Sequence, residues 1–232
     1  MKNSGITGLI MAPVNLRLIV LGVFFQLLFS LTVRGQDAPP SPPVPVEILV
    51  GHDRLFFQAL VSKPFVPGSR FGLFTIATYH AGYDNDPDKN ELAIPLQLSY
   101  TFWKGIGAYA GVAMNSKSGM HPVIGPQYVK ASKQLLIVIN GRYFLTEDYN
   151  LEAFALLEYK PELNATWSLY SRVQGLYSYN TAGEFHDRSF YHLRLGLMRK
   201  NLSFGPGVNF DLYGPDKTLK ENYGVFVRWE FW

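Results

Sequence analysis

Residues 223–232, the last ten, read YGVFVRWEFW. Tyr223, Val225, Val227, Trp229 and Phe231 share one parity, while Asn222, Gly224, Arg228 and Glu230 share the other. Period two with one apolar face predicts a β-strand, because successive strand side chains point to opposite faces. The same signature recurs upstream. Leu55, Phe57, Ala59 and Val61 oppose Arg54, Gln58 and Ser62; Leu92, Ile94, Leu96, Leu98, Tyr100 and Phe102 oppose Ala93, Pro95, Gln97, Ser99 and Thr101. Tyr191, Leu193, Leu195 and Leu197 oppose His192, Arg194 and Gly196. Helix-period stretches are missing; residues 151–157 admit a helical reading, but alternation fits them equally and Pro161 follows. Alternations of roughly ten residues, repeated between turn residues, predict an all-β, antiparallel up-and-down transmembrane barrel.

The first 35 residues are of another kind. Lys2 and Arg17 precede an apolar run, LIVLGVFFQLLFSLTV at 18–33, and Val33-Arg34-Gly35 offers permissive residues at a signal-peptidase site. A positive flank, a short apolar run and a small residue at the cut predict a cleavable signal peptide over residues 1–35. The run is short for a retained helix, which needs about 20 apolar residues to span a bilayer. Three of the 21 basic residues and none of the 18 acidic ones lie in this leader, so the exported chain is electrically balanced. No basic patch remains to favour nucleic acid. Cysteine is absent, which excludes disulfides and thiolate metal sites. The stretch APPSPPVPV at 38–46 favours polyproline II, and residues 36–46 are predicted to be a periplasmic spacer ahead of a barrel domain at 47–232.

Links are predicted near residues 62–70, 81–90, 104–105, 115–121, 132–133, 146–150, 161–164, 180–188, 200–201 and 213–222. Tight turns at one end alternate with longer polar loops at the other, the asymmetry of outer-membrane barrels, and this places both termini in the periplasm. Eleven strands follow between Leu55 and Trp232; residues 44–50, turning at Gly51-His52-Asp53, supply a twelfth, since such barrels have even strand numbers. Ten strands is the alternative, should a segment interrupted by Pro64 and Pro67, or by Pro122 and Pro126, not be a full strand.

A soluble sandwich or ligand-binding barrel would turn its apolar face inward. The other face here carries Arg142, Glu152, Glu158, Arg172, Gln174, Arg194, Asn209, Asp211, Arg228 and Glu230, too many charges for an apolar core. The expectation is a wet or salt-bridged lumen. Its charge belt is assigned to Arg142, Glu152, Glu158, Arg172, Arg194, Asp211, Arg228 and Glu230, with Arg142 opposite Glu152 if the 146–150 hairpin is symmetric. Trp103, Tyr143, Tyr159, Trp167, Tyr177, Tyr179 and Trp229 near strand ends suit the interfacial aromatic girdles.

The leader, the alternating strands and the aromatic end resemble small Gram-negative outer-membrane β-barrel proteins of an uncharacterised family. Residues 151–161 (LEAFALLEYKP) and 204–215 (FGPGVNFDLYGP) look like segments of that family. The resemblance implies insertion by the barrel-assembly machinery, which reads a terminal strand ending in an aromatic residue. It marks Trp229, Phe231 and Trp232 as the assembly signal. Phe231 holds the apolar phase, whereas Trp232 is in register with Arg228 and Glu230.

No catalytic or metal site is predicted. His80, His121 and His186 fall at or near loops and His192 in the lumen; none has ligand spacing. Ser189 and Asp187 flank His186, but strand alternation sends neighbours to opposite faces, and no nucleophile elbow is present. The acidic run at 84–88 reads as a solvated loop tip rather than a calcium site. The expected function is a non-enzymatic outer-membrane barrel, structural or an accessory subunit of an envelope assembly, without a cofactor. Its expected partners are outer-membrane lipid, the barrel-assembly machinery and other envelope proteins. The alternatives are a narrow channel for small polar solutes and, more distantly, a lipid-modifying enzyme.

Overall fold

The computed structural model describes residues 42–232 apart from 85, 148 and 149; the predicted leader and most of the spacer lie outside them. Among the described residues the chain forms twelve strands: β1 (Val44–Gly51), β2 (Arg54–Pro64), β3 (Phe71–Gly82), β4 (Glu91–Trp103), β5 (Ile106–Asn115), β6 (Gly119–Ala131), β7 (Leu135–Phe144), β8 (Leu151–Tyr159), β9 (Ser168–Asn180), β10 (Phe185–Arg199), β11 (Leu202–Tyr213) and β12 (Thr218–Phe231). Each pairs antiparallel with its neighbours in sequence, and β1 closes on β12 from Val44↔Phe231 to Gly51↔Gly224. The result is a closed, all-β, up-and-down barrel in which no strand edge is left unpaired.

The count is twelve, not ten. Pro64 ends β2, while Pro122 and Pro126 lie within β6. The strand tolerates them because its ladder to β7 lapses at Gly125 and Pro126, where the proline has no N–H to donate. The first strand starts at Val44, inside the predicted spacer, so the barrel begins before residue 47. Val44, Val46, Ile48 and Val50 face out, and Pro45, Glu47 and Leu49 are buried inside.

The predicted parity holds in β12: Asn222, Phe226, Arg228 and Glu230 are buried, while Val225, Val227, Trp229 and Phe231 are exposed. The whole outer wall repeats this, with Leu98 57%, Leu195 55% and Val225 59% exposed. An apolar wall of this extent, on a sheet closed edge to edge, suits hydrocarbon and not water. The barrel is of the outer-membrane type.

The two ends differ less than expected. Strands run into two of the predicted long loops, leaving only residues 181–184 and 214–217 as turns. At the end that carries the termini, the links at 65–70 and 160–167 are as long as those opposite. Lys104-Gly105 is a two-residue hairpin with both residues at positive φ (44° and 90°), as a type I′ turn requires. β10 also breaks the alternation: it gains a residue against β9 between His186 and Arg188.

Candidate functional site

Along one arc of the wall, β1, β2 and β9–β12 project charged side chains into the lumen. Nearest the termini, Arg228 Nη1 donates to Glu230 at 2.7 Å and Nη2 to Glu158 at 3.1 Å, and Lys160 reaches both carboxylates at 2.8 and 3.2 Å. Farther in, Glu47 takes Arg172 at 2.6 Å and Arg194 at 2.9 Å, while Arg194 also donates to Asn209. Toward the other end, Asp211 accepts from Arg54 at 2.8 Å and Arg188 at 3.2 Å, and Arg188 lies 3.1 Å from Glu91. Arg142 and Glu152, directly opposite in the β7–β8 ladder, pair at 2.5 Å on the far wall.

All eight residues of the predicted belt therefore face inward and take part in ion pairs. Sequence reading missed five partners, Glu47, Arg54, Glu91, Lys160 and Arg188. Glu47 is only 1% exposed, and its signal was a carboxylate on the inward parity of an apolar stretch. A buried carboxylate shared by two guanidiniums meets its desolvation cost with charge-assisted hydrogen bonds.

Of the two forms expected, wet or salt-bridged, the lumen shows the salt-bridged one, and apolar side chains also pack inside it. Leu60, Phe74, Ile76, Val138, Phe154 and Leu156 form an apolar cluster inside the barrel that crosses the lumen from β2 and β3 to β7 and β8. Leu49, Phe56, Tyr170 and Phe226 form a second one beside the charges. The guanidinium of Arg194 lies over the Phe56 and Phe226 rings at 5.6 and 5.9 Å, and that of Arg228 over Tyr170 at 5.0 Å. At this level the interior is occupied by the barrel's own side chains. Strands such as β8 are apolar on both faces, Leu157 outside and Leu156 inside, which hid the inner cluster from a one-face reading.

Above this packing, at the end away from the termini, lies a cavity of about 300 Å³. It extends from Ser118, Thr146 and Asn180 near the rim down to Phe190 and His192, with Arg142 and Glu152 on its wall. At its floor His192 stacks on Phe190 at 4.4 Å and meets the edge of Phe56 at 5.0 Å. His80 also packs against Phe56, at 4.8 Å and with its ring 6.2 Å from that of His192, and His121 is held at the rim by the Ser118 carbonyl at 2.7 Å. The acidic loop beyond the rim is closed on itself. Lys89 pairs with Asp84 and Asp86, and its hydrogen bond keeps the Asp84 carboxyl below the usual aspartate range.

A row of inward glycines, Gly51, Gly224 and Gly207, crosses β1, β12 and β11 at the seam. A Cβ on Gly51 would lie 1.9 Å from Asn222 Oδ1, the atom that accepts from the Asp53 and Arg54 amides in the β1–β2 turn. A Cβ on Gly207 would meet Leu49 at 2.5 Å and the Arg194 side chain at 2.8 Å. The row makes room for the polar side chains that bridge the seam.

No protein-family model matches the sequence, and no curated protein does. Among solved structures, the KdgM porin aligns with a TM-score of 0.46 at 14% identity, over 82% of this chain and 99% of that one. The NanC porin gives 0.46 at 12% identity over 81% and 98% of the two chains. Pseudomonas aeruginosa OccK2 (OpdF) gives 0.38 at 15% identity over 75% and 65%. The likeness is one of barrel architecture.

Proposed function

We propose that this chain is a narrow, gated channel of a Gram-negative outer membrane, admitting small polar solutes through the end away from its termini. The observation that carries the reading is the cavity, open along the polar side chains of Ser118, Thr146 and Asn180 and bounded by the Arg142–Glu152 pair, which narrows past Phe144 and Leu176 to Phe190 and His192 at its floor. A polar vestibule above an apolar constriction is an arrangement that gates by wetting and dewetting. Charges of both signs in the lumen suit polar or zwitterionic solutes rather than one class of ion. Transport of this kind needs no cofactor and no covalent chemistry. The predicted leader and the aromatic terminal strand support insertion by the barrel-assembly machinery with both termini periplasmic, so the vestibule faces outward.

A second reading, a non-conducting structural barrel or accessory subunit, is favoured by the packed apolar cluster of Phe74, Phe154 and Leu156. Planar-bilayer recording separates the two. A gated channel gives brief, voltage-promoted openings from the purified barrel; a flat trace at every voltage, with the protein demonstrably inserted, defeats the channel.

A further inference from the structure

Ser189 and His186 lie three residues apart on β10, a spacing that regular alternation sends to opposite faces. The extra residue in β10 reverses this. His186 pairs with Tyr179, Arg188 with Ser178 and Ser189 with Tyr177. His186 and Ser189 therefore share the outer face of the wall with Tyr177, at the end that carries the vestibule.

The two side chains are in contact, with His186 Nε2 2.8 Å from Ser189 Oγ. The other ring nitrogen, Nδ1, is 2.7 Å from the carbonyl oxygen of Gly214 in the β11–β12 turn. A carbonyl oxygen only accepts, so Nδ1 carries the ring proton. In the neutral imidazole Nε2 then holds the lone pair, and the Ser189 hydroxyl donates to it. This is the tautomer and orientation that a general base needs to activate a serine, with a backbone carbonyl in the orienting role that a carboxylate fills in a triad. The carbonyl is itself held, because the Gly214 amide donates to the carbonyl of Asp187, the bulge residue, at 2.8 Å.

The surroundings indicate the substrate class. Ser189 is 4% and His186 7% exposed, while Tyr177, 5.6 Å from the His186 ring, stands out from the wall beside them. The pair lies at the aromatic end of a lipid-facing wall, where ester groups of membrane lipids meet the interface, and a substrate carbonyl reaches Ser189 Oγ once the side chains that cover it move aside.

From this geometry we infer that Ser189 and His186 are a nucleophile–base dyad that hydrolyses carboxylic esters of acylated lipids. Ser189 Oγ forms a bond to the ester carbonyl carbon as His186 Nε2 takes the hydroxyl proton. The tetrahedral intermediate expels the lipid alcohol, which leaves with that proton and breaks the ester C–O bond. Water, deprotonated by the same nitrogen, then attacks the acyl-serine and releases the fatty acid with Ser189 restored. The net reaction is ester plus water to acid plus alcohol. The inference is independent of the channel, since the dyad is on the outer face and the vestibule inside.

The test uses the full-length barrel in detergent, checked for folding by heat-modified gel mobility. A fluorophosphonate probe and a p-nitrophenyl acyl ester read the dyad; vesicles of phosphatidylethanolamine and phosphatidylglycerol, with released fatty acid measured, read the substrate class. The expected result is labelling and acid release by the natural chain, both lost in Ser189→Ala, with hydrolysis reduced about 100-fold or more in His186→Gln. Folded natural chain that neither labels nor hydrolyses overturns the dyad, as does activity that persists in Ser189→Ala. Ester hydrolysis without fatty-acid release from vesicles overturns the lipid assignment.

Discussion

Glu47 and Arg172 meet at 2.6 Å inside the barrel although 125 residues separate them in the chain. They come from β1 and β9, which are not neighbours in the sheet, so the contact bridges the lumen rather than the ladder. With Arg194 also on Glu47, one carboxylate ties three strands together.

Removing that carboxylate leaves two buried guanidiniums without an anion. Breaking a buried pair from one side costs about 3–5 kcal/mol. Glu47→Gln is therefore expected to lower the temperature of the heat-modified gel shift, and Arg194→Leu to lower it too. Combined, the two changes should cost less than their sum, because they remove opposite ends of one interaction. Additive losses, or an unchanged shift temperature, would show that the network does not brace the wall.

The apolar floor supplies a second expectation. Phe154→Ala with Leu156→Ala opens the inner cluster, and this should convert brief openings into a steady ohmic step in bilayer recordings. Each truncation also costs about 2–5 kcal/mol of packing, so folded mobility is checked first. A folded double variant that is as silent as the natural chain removes the case for a gate at this level.

At the seam, Gly207→Val places methyl groups where Leu49 and Arg194 now lie. The expected outcome is a loss of about 1–3 kcal/mol from overpacking, read as an earlier urea transition, with Arg194 driven away from Glu47. The same change in an Arg194→Ala background should cost less, since the crowded side chain is then short.

The end of the chain can be tested by export. β12 stops at Phe231, which pairs with Val44 on the outer face, and Trp232 follows the strand. Phe231→Ala is expected to reduce the folded barrel recovered from outer membranes several-fold more than Trp232→Ala. Equal losses, or a larger loss at Trp232, would assign the assembly signal to the last residue instead.

Much of the outer wall could be read from parity, because a face in contact with hydrocarbon admits only one kind of side chain. Leu195, Val225 and Trp229 obey that rule. The inner face has no such rule. Glu47, Phe154 and Asn209 share it, and which of them meet depends on chords across the lumen that adjacency along the chain does not encode. The eight belt residues were found because a charge opposite an apolar parity must face inward. Leu60, Phe74 and Val138 were missed because an apolar side chain fits either face. The dyad was missed for a different reason: no glycine or proline marks the bulge at residues 186–188, so a break in alternation within FHDRS reads as an ordinary polar strand end.

Closure of β1 on β12 gives the molecule a test of its own completeness. Glu47 enters with the first strand, and its two cations arrive only with the ninth and tenth. Arg54 likewise waits on β2 for the carboxylate of Asp211, which arrives with β11. A chain cut short, or halted partway through insertion, holds an orphaned charge beside a lipid-facing wall, the costliest place for one. The pairs made by Glu47 and Arg54 are complete only once β11 has been added. Partial barrels are thereby marked as unstable by their electrostatics, without any need for a separate recognition element.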